Sequence, residues 1–136
     1  MEISDASPII LDSSVWIAFF RQDDSLREKA KRTLSGLRGM TIVVPEYVLV
    51  EVATALKRKG YEEAAKKFVA EVMKDGQHTF LPAGEHMAGS TAELFLTRQR
   101  DGLSFTDTTL LLLSEKYQIV TFDRGLLKAI KNARTR

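Results

Sequence analysis

The chain has 136 residues, 44% of them hydrophobic and 28% charged, with a formal net charge of +2. That size suits a single domain over 1–136 with one sizeable core, and so small a charge neither demands nor excludes a nucleic-acid partner. The absence of cysteine excludes disulfides, thiolate chemistry and cysteine-ligated zinc, and no stretch reaches the ~18 apolar residues of a membrane span.

In chain order, the opening Met1-Glu2-Ile3-Ser4-Asp5 carries acids where a signal peptide carries lysines and arginines, so a cytoplasmic protein is expected. Pro8 to Asp12 reads as a short buried strand ending on a carboxylate. Ser13 or Ser14 can cap the apolar helix that follows through Val15, Trp16, Ala18 and Phe19. Residues 25–38 show helical spacing (Leu26, Ala30, Leu34, Leu37) and end at Gly39. Thr41 to Val44 is β-branched and apolar, a second strand. Pro45 stops it and suits the first turn of a helix running to about Lys59. A further helix spans about 62–74. His78 to Leu81 is a third strand, ended by Pro82. Helices follow at about 85–100 and from Ser104 through the Leu110–Leu113 run. Gln118 to Thr121 is a fourth strand, and a last helix covers about 124–133.

Short apolar strands separated by helices predict an α/β fold. It is a three-layer domain with a parallel sheet of four or five strands and helices on both faces. Ligands of such sheets collect at the carboxyl ends of the strands. Asp12 ends the first strand and Asp123 follows the fourth. Asp107 lies in the first turn of the helix returning to that strand. Glu51 lies about five residues into its helix, roughly 8 Å along the axis, so all four acids can converge on one sheet edge. Glu51 also sits on the apolar stripe of Val48, Val52, Ala55 and Leu56, where an unpaired carboxylate is costly. Four converging carboxylates raise one another's pKa values. A divalent cation resolves both problems, and oxygen-only ligands select Mg2+ or Mn2+.

Each acid also has a reading that needs no chemistry. Asp12 can cap the first helix, and Ser104-Phe-Thr-Asp107 fits a capping box. Asp123-Arg-Gly resembles a turn or helix start. Glu51 can pair with a lysine. Glu71 falls on the opposite edge, and Glu93 lies deeper in its helix. The only histidines, His78 and His86, lie at and just after the third strand and read as surface or packing residues. The basic residues after Asp123 (Arg124, Lys128, Lys131, Arg134, Arg136), with Lys57-Arg58-Lys59 and Arg98-x-Arg100, can contact phosphates or merely solvate helix ends. Trp16 and Leu110–Leu113 read as core, and part of the Phe19–Phe20 surface as partner-facing.

At these residues the sequence resembles the PIN-domain family, most closely the VapC-type ribonuclease toxins. The matching pieces are Ile10-Leu-Asp12-Ser-Ser14, Leu49-Val-Glu51-Val-Ala-Thr-Ala-Leu56, Leu103-Ser-Phe-Thr-Asp107 and Val120-Thr-Phe-Asp123. The resemblance implies a Mg2+- or Mn2+-dependent endoribonuclease in which Asp12, Glu51, Asp107 and Asp123 bind metal directly or through water, supported by the hydroxyls of Ser14 and Thr121. It also implies an RNA substrate, a homodimer and a small antitoxin partner. Departures are Thr108, where the family favours a small apolar residue, and Asp123, which matches the family's least constant acid.

Two other classes compete with this one. A haloacid-type phosphatase needs a second aspartate where Ser14 stands, and a receiver domain needs an aspartate ending the third strand, where His78–Leu81 has none. A non-catalytic PIN-like scaffold is opposed by retention of all four acids.

Overall fold

The computed structural model describes residues 8–134; the opening pentapeptide and Arg136 lie outside the described residues. The elements in chain order are β1 (Ile9–Leu11), α1 (Ser13–Phe20), α2 (Arg27–Gly36), β2 (Ile42–Pro45), α3 (Glu46–Arg58), α4 (Glu62–Met73), β3 (Thr79–Leu81), α5 (Gly84–Thr97), α6 (Phe105–Leu113), β4 (Gln118–Val120) and α7 (Arg124–Arg134). No helix among the described residues is long and apolar enough to cross a membrane.

All strand pairings are parallel, in the order β3-β2-β1-β4. The strands are apolar because the central ones are covered on both faces: Ile9, Ile10, Leu11 and Val44 are fully buried. The first two crossovers step outward from β1 to β2 to β3. The third returns across the sheet and places β4 on the other side of β1. Helix α1 packs on both α2 and α3, and α3 on α4; α6 packs on both α5 and α7. Right-handed crossovers put these two groups on opposite faces. The direction of winding reverses between β1 and β4, and a ligand crevice forms at such a reversal.

On the first face, Val48, Val52 and Leu56 of α3 and Phe68 of α4 are fully buried, with Trp16 of α1 against Phe68 at 4.9 Å between ring centroids. Each such side chain contributes roughly 1.5–3 kcal/mol by leaving water. A Schellman motif ends α3. Tyr61 N–H donates to the Leu56 carbonyl at 2.8 Å and Gly60 N–H to that of Lys57 at 3.1 Å. Gly60 occupies the left-handed position (φ 87°) that this closure requires. On the second face, Leu110 and Leu126 are fully buried, and the buried hydroxyls of Thr91 and Thr109 pair at 2.9 Å between α5 and α6.

The start of α1 differs from expectation. Asp12, not Ser13 or Ser14, occupies the N-cap position, and no side chain caps the helix. Both serines are helical residues: the Ser14 hydroxyl turns to the Asp12 carboxylate, and that of Ser13 faces both Asp12, 3.5 Å away, and Glu51. Pro45 likewise ends β2 and stands at the N-cap of α3 rather than in its first turn.

Candidate active site

The β1–β4 register pairs Ile9 with Gln118, Ile10 with Ile119 and Leu11 with Val120. The next step brings Asp12 beside Thr121, and Asp12 N–H donates to the Val120 carbonyl at 2.9 Å. Asp12 is only 2% exposed. Its Oδ2 accepts hydrogen bonds from Ser14 Oγ at 2.7 Å and Thr121 Oγ1 at 2.8 Å. With both protons committed, the 3.5 Å separation of the two hydroxyl oxygens is a contact rather than a further bond. Each hydroxyl also accepts from the loop after β4, Ser14 from Phe122 N–H at 3.1 Å and Thr121 from Asp123 N–H at 2.9 Å. Asp12 is therefore held by the sheet edge rather than spent on capping α1.

Glu51 is half-buried on α3, next to the fully buried Val52. Burial pushes its pKa up, the hydroxyls of Ser13 and Thr106 pull it back, and the charges of Asp12 and Asp107 push it up again. Asp107 behaves similarly. Burial raises its pKa first, the Ser104 backbone and hydroxyl oppose the rise, and Asp12 and Asp123 add to it. Asp107 is also a complete capping-box residue: its N–H donates to Ser104 Oγ and its Oδ2 accepts from Ser104 N–H, both at 3.0 Å. The capping and site-facing readings of this residue therefore hold together. Asp123 is exposed and fastens α7, Oδ1 accepting from Leu126 N–H at 3.0 Å. A Cβ at Gly125 would lie 3.2 Å from that oxygen, a tight approach that would press on the cap.

The structure thus brings Asp12, Glu51 and Asp107 into one field, with Asp123 coupled to it through Asp107. Among the described residues no cation pairs with any of the four. Nor do any three acidic, histidine or cysteine side chains there close into a ready-made metal cage. Glu71 stands 3.9 Å from His78, whose pKa burial lowers against the raising charge of Glu71. The His78 ring packs on Trp16 at 5.2 Å, and Glu93 is exposed. Sequence reasoning missed the part played by Ser13 and Thr106. The available signal was Thr106, a hydroxyl residue next to Asp107 in the first turn of α6.

A parallel α/β sheet with buried and half-buried carboxylates at its winding reversal defines a class of proteins that handle charged ligands at a strand edge. The PIN-domain profile matches residues 9–132, and the chain belongs to the PIN-domain family. Among solved structures it is similar to VapC20 of Mycobacterium tuberculosis, described as a sarcin-ricin-loop-cleaving toxin. The TM-score is 0.80 at 22% identity, over 89% of this chain and 94% of that one. It is also similar to PAE2754 of Pyrobaculum aerophilum, with a TM-score of 0.58 at 18% identity, over 96% and 95% of the two chains. No curated protein sequence matches it.

Proposed function

We propose that this chain is a Mg2+- or Mn2+-dependent endoribonuclease, a single PIN domain over 1–136, and the toxin of a pair whose antitoxin is a small protein. The observation that carries this is the mutual field of Asp12, Glu51 and Asp107 in a PIN fold, with no cationic side chain among the described residues to neutralise it.

The donors suit a hard divalent ion, since they are carboxylates and hydroxyls with no thiol or imidazole among them. Mg2+ commonly uses one or two protein carboxylates, water and substrate phosphate rather than a closed cage, in keeping with an open arrangement. Asp12, Glu51, Asp107 and Asp123 would hold it, directly or through water. When bound, it acts as a Lewis acid on the phosphate and makes water a better nucleophile.

The protein's own part is placement. Ser14 and Thr121 fix the Asp12 carboxylate before substrate arrives, and the capping box fixes Asp107. Such preorganisation is worth more than the same groups held loosely. Single-stranded or looped RNA is the proposed substrate.

VapC20, which shares the fold, is a toxin that cleaves the sarcin-ricin loop, and this favours the same class here. The neighbouring Phe95 and Leu96 of α5 are 44% and 82% exposed, and such apolar surface fits a partner chain, here a second copy in a homodimer. Incubating RNA with the protein in Mg2+, in Mn2+ or in EDTA tests the reading. Cleavage in either metal and none in EDTA is expected. Cleavage that persists in EDTA, or hydrolysis of small phosphoesters without action on RNA, would overturn it.

A further inference from the structure

A groove of about 450 Å3 opens beside Glu51 and runs between α1 and α3. That volume falls within the roughly 300–1,000 Å3 of ligand sites. Ser13 and Ile17 form one wall, and Val50, Glu51, Thr54 and Arg58 form the other. Glu51 and Arg58 are seven residues apart, nearly two turns, so they share a face of α3 about 10 Å apart along its axis. Helical side chains lean toward the N-terminus, which carries the Arg58 guanidinium back along the groove.

Arg58 is exposed and, among the described residues, has neither an ion-pair nor a hydrogen-bond partner. Its neighbour Lys57 lines the separate groove between α3 and α4 and stands 3.9 Å from Glu62. Within Lys57-Arg58-Lys59, then, Arg58 is the cation that shares a groove with Glu51. Four acids at a sheet edge repel a polyanion, so a strand lying across them needs cationic anchors to either side. Guanidinium suits that task because its planar fork grips phosphate through two hydrogen bonds. Between the charged ends lie Thr54 and the half-buried Ala55 of α3, facing the half-buried Ile17 of α1, a partly apolar floor for sugar or base.

We infer that this groove is a phosphate subsite for the RNA strand beside the cleaved bond, with Arg58 holding a phosphate a few nucleotides from the four carboxylates. The inference rests on the ribonuclease reading above.

The test uses Asp12→Asn protein, which binds without cutting, and a labelled single-stranded RNA longer than the roughly 4–16 nucleotides of common single-strand sites. Binding is followed by fluorescence anisotropy over a salt series, with thermal melts confirming that each variant is folded. Adding Arg58→Ala is expected to weaken binding about tenfold and to reduce the slope of log K against log salt by about 0.7. Arg58→Lys keeps the slope and recovers part of the affinity. Lys57→Ala, which removes an equal charge next door, leaves both nearly unchanged. Equal binding with and without Arg58→Ala overturns the inference, as does a loss in Lys57→Ala as large as in Arg58→Ala. Wild-type cleavage of RNA is measured alongside. If that is present, a null result at Arg58 removes only this subsite; if it is absent, the ribonuclease reading and the subsite fall together.

Discussion

Thr121 Oγ1 donates to Asp12 Oδ2 at 2.8 Å, joining the ends of two parallel strands whose residues are 109 positions apart. The bond sits where the sheet's winding reverses and ties the most buried acid of the site to the loop carrying Asp123. A hydrogen bond to a buried charged group is worth about 1.5–3 kcal/mol. Thr121→Val is therefore expected to lower unfolding free energy in urea by about that much near neutral pH, whereas Thr121→Ser restores most of it. Equal midpoints for wild type and Thr121→Val would show that the bond contributes nothing.

The raised pKa values of Glu51 and Asp107 give the metal-free protein a pH dependence of definite sign. Between the ordinary carboxylate range near 4 and the raised native values, the folded state binds more protons than the unfolded one. Stability thus falls as pH rises through that window. Glu51→Gln should flatten the fall in a urea series run at stepped pH. Added Mg2+ should oppose it, increasingly at higher pH, because the ion binds the deprotonated site. A stability rising across the same window in Glu51→Gln and wild type alike would contradict the burial and repulsion described at Glu51.

Ser104 and Asp107 separate capping from chemistry. Asn at 107 can still accept from Ser104 N–H, so Asp107→Asn is expected to remain folded and lose RNA cleavage. Ser104→Ala removes the hydroxyl side of the box and is expected to cost about 1 kcal/mol while keeping cleavage within about tenfold of wild type. The reverse pattern, an active Asp107→Asn and an inactive Ser104→Ala, would make Asp107 a cap alone.

Asp123 is exposed and already engaged with Leu126 N–H. Asp123→Asn should keep that cap and lose less cleavage than Asp12→Asn. Asp123→Ala should also lower stability by about 1 kcal/mol. Cleavage rates and melting curves for the three variants check the order.

The sheet edge was legible because strand ends in a parallel sheet have a known role, so an aspartate closing β1 and another following β4 pointed to one place. The capping box at Ser104 was legible because it is local in sequence. The start of α1 was legible only in part: a serine after a strand normally caps a helix, the family resemblance implied that Ser14 supports the site, and the neighbouring β4 shows how it turns to Asp12 instead. The support that Ser13 and Thr106 give Glu51 was hidden too, since it depends on residues of α1, α3 and α6, far apart in sequence, converging at the sheet edge. The cluster Lys57-Arg58-Lys59 read as three equivalent cations. Helix geometry splits it, sending Lys57 toward α4 and leaving Arg58 in the groove of Glu51.

The four acids as a cation site are tested most directly by calorimetric titration of Mn2+ into metal-free wild type and into Asp12→Asn and Glu51→Gln. Saturable binding in the wild type, strongly weakened in both folded variants, is the expected result. No binding in the wild type, or equal binding in all three, would contradict it.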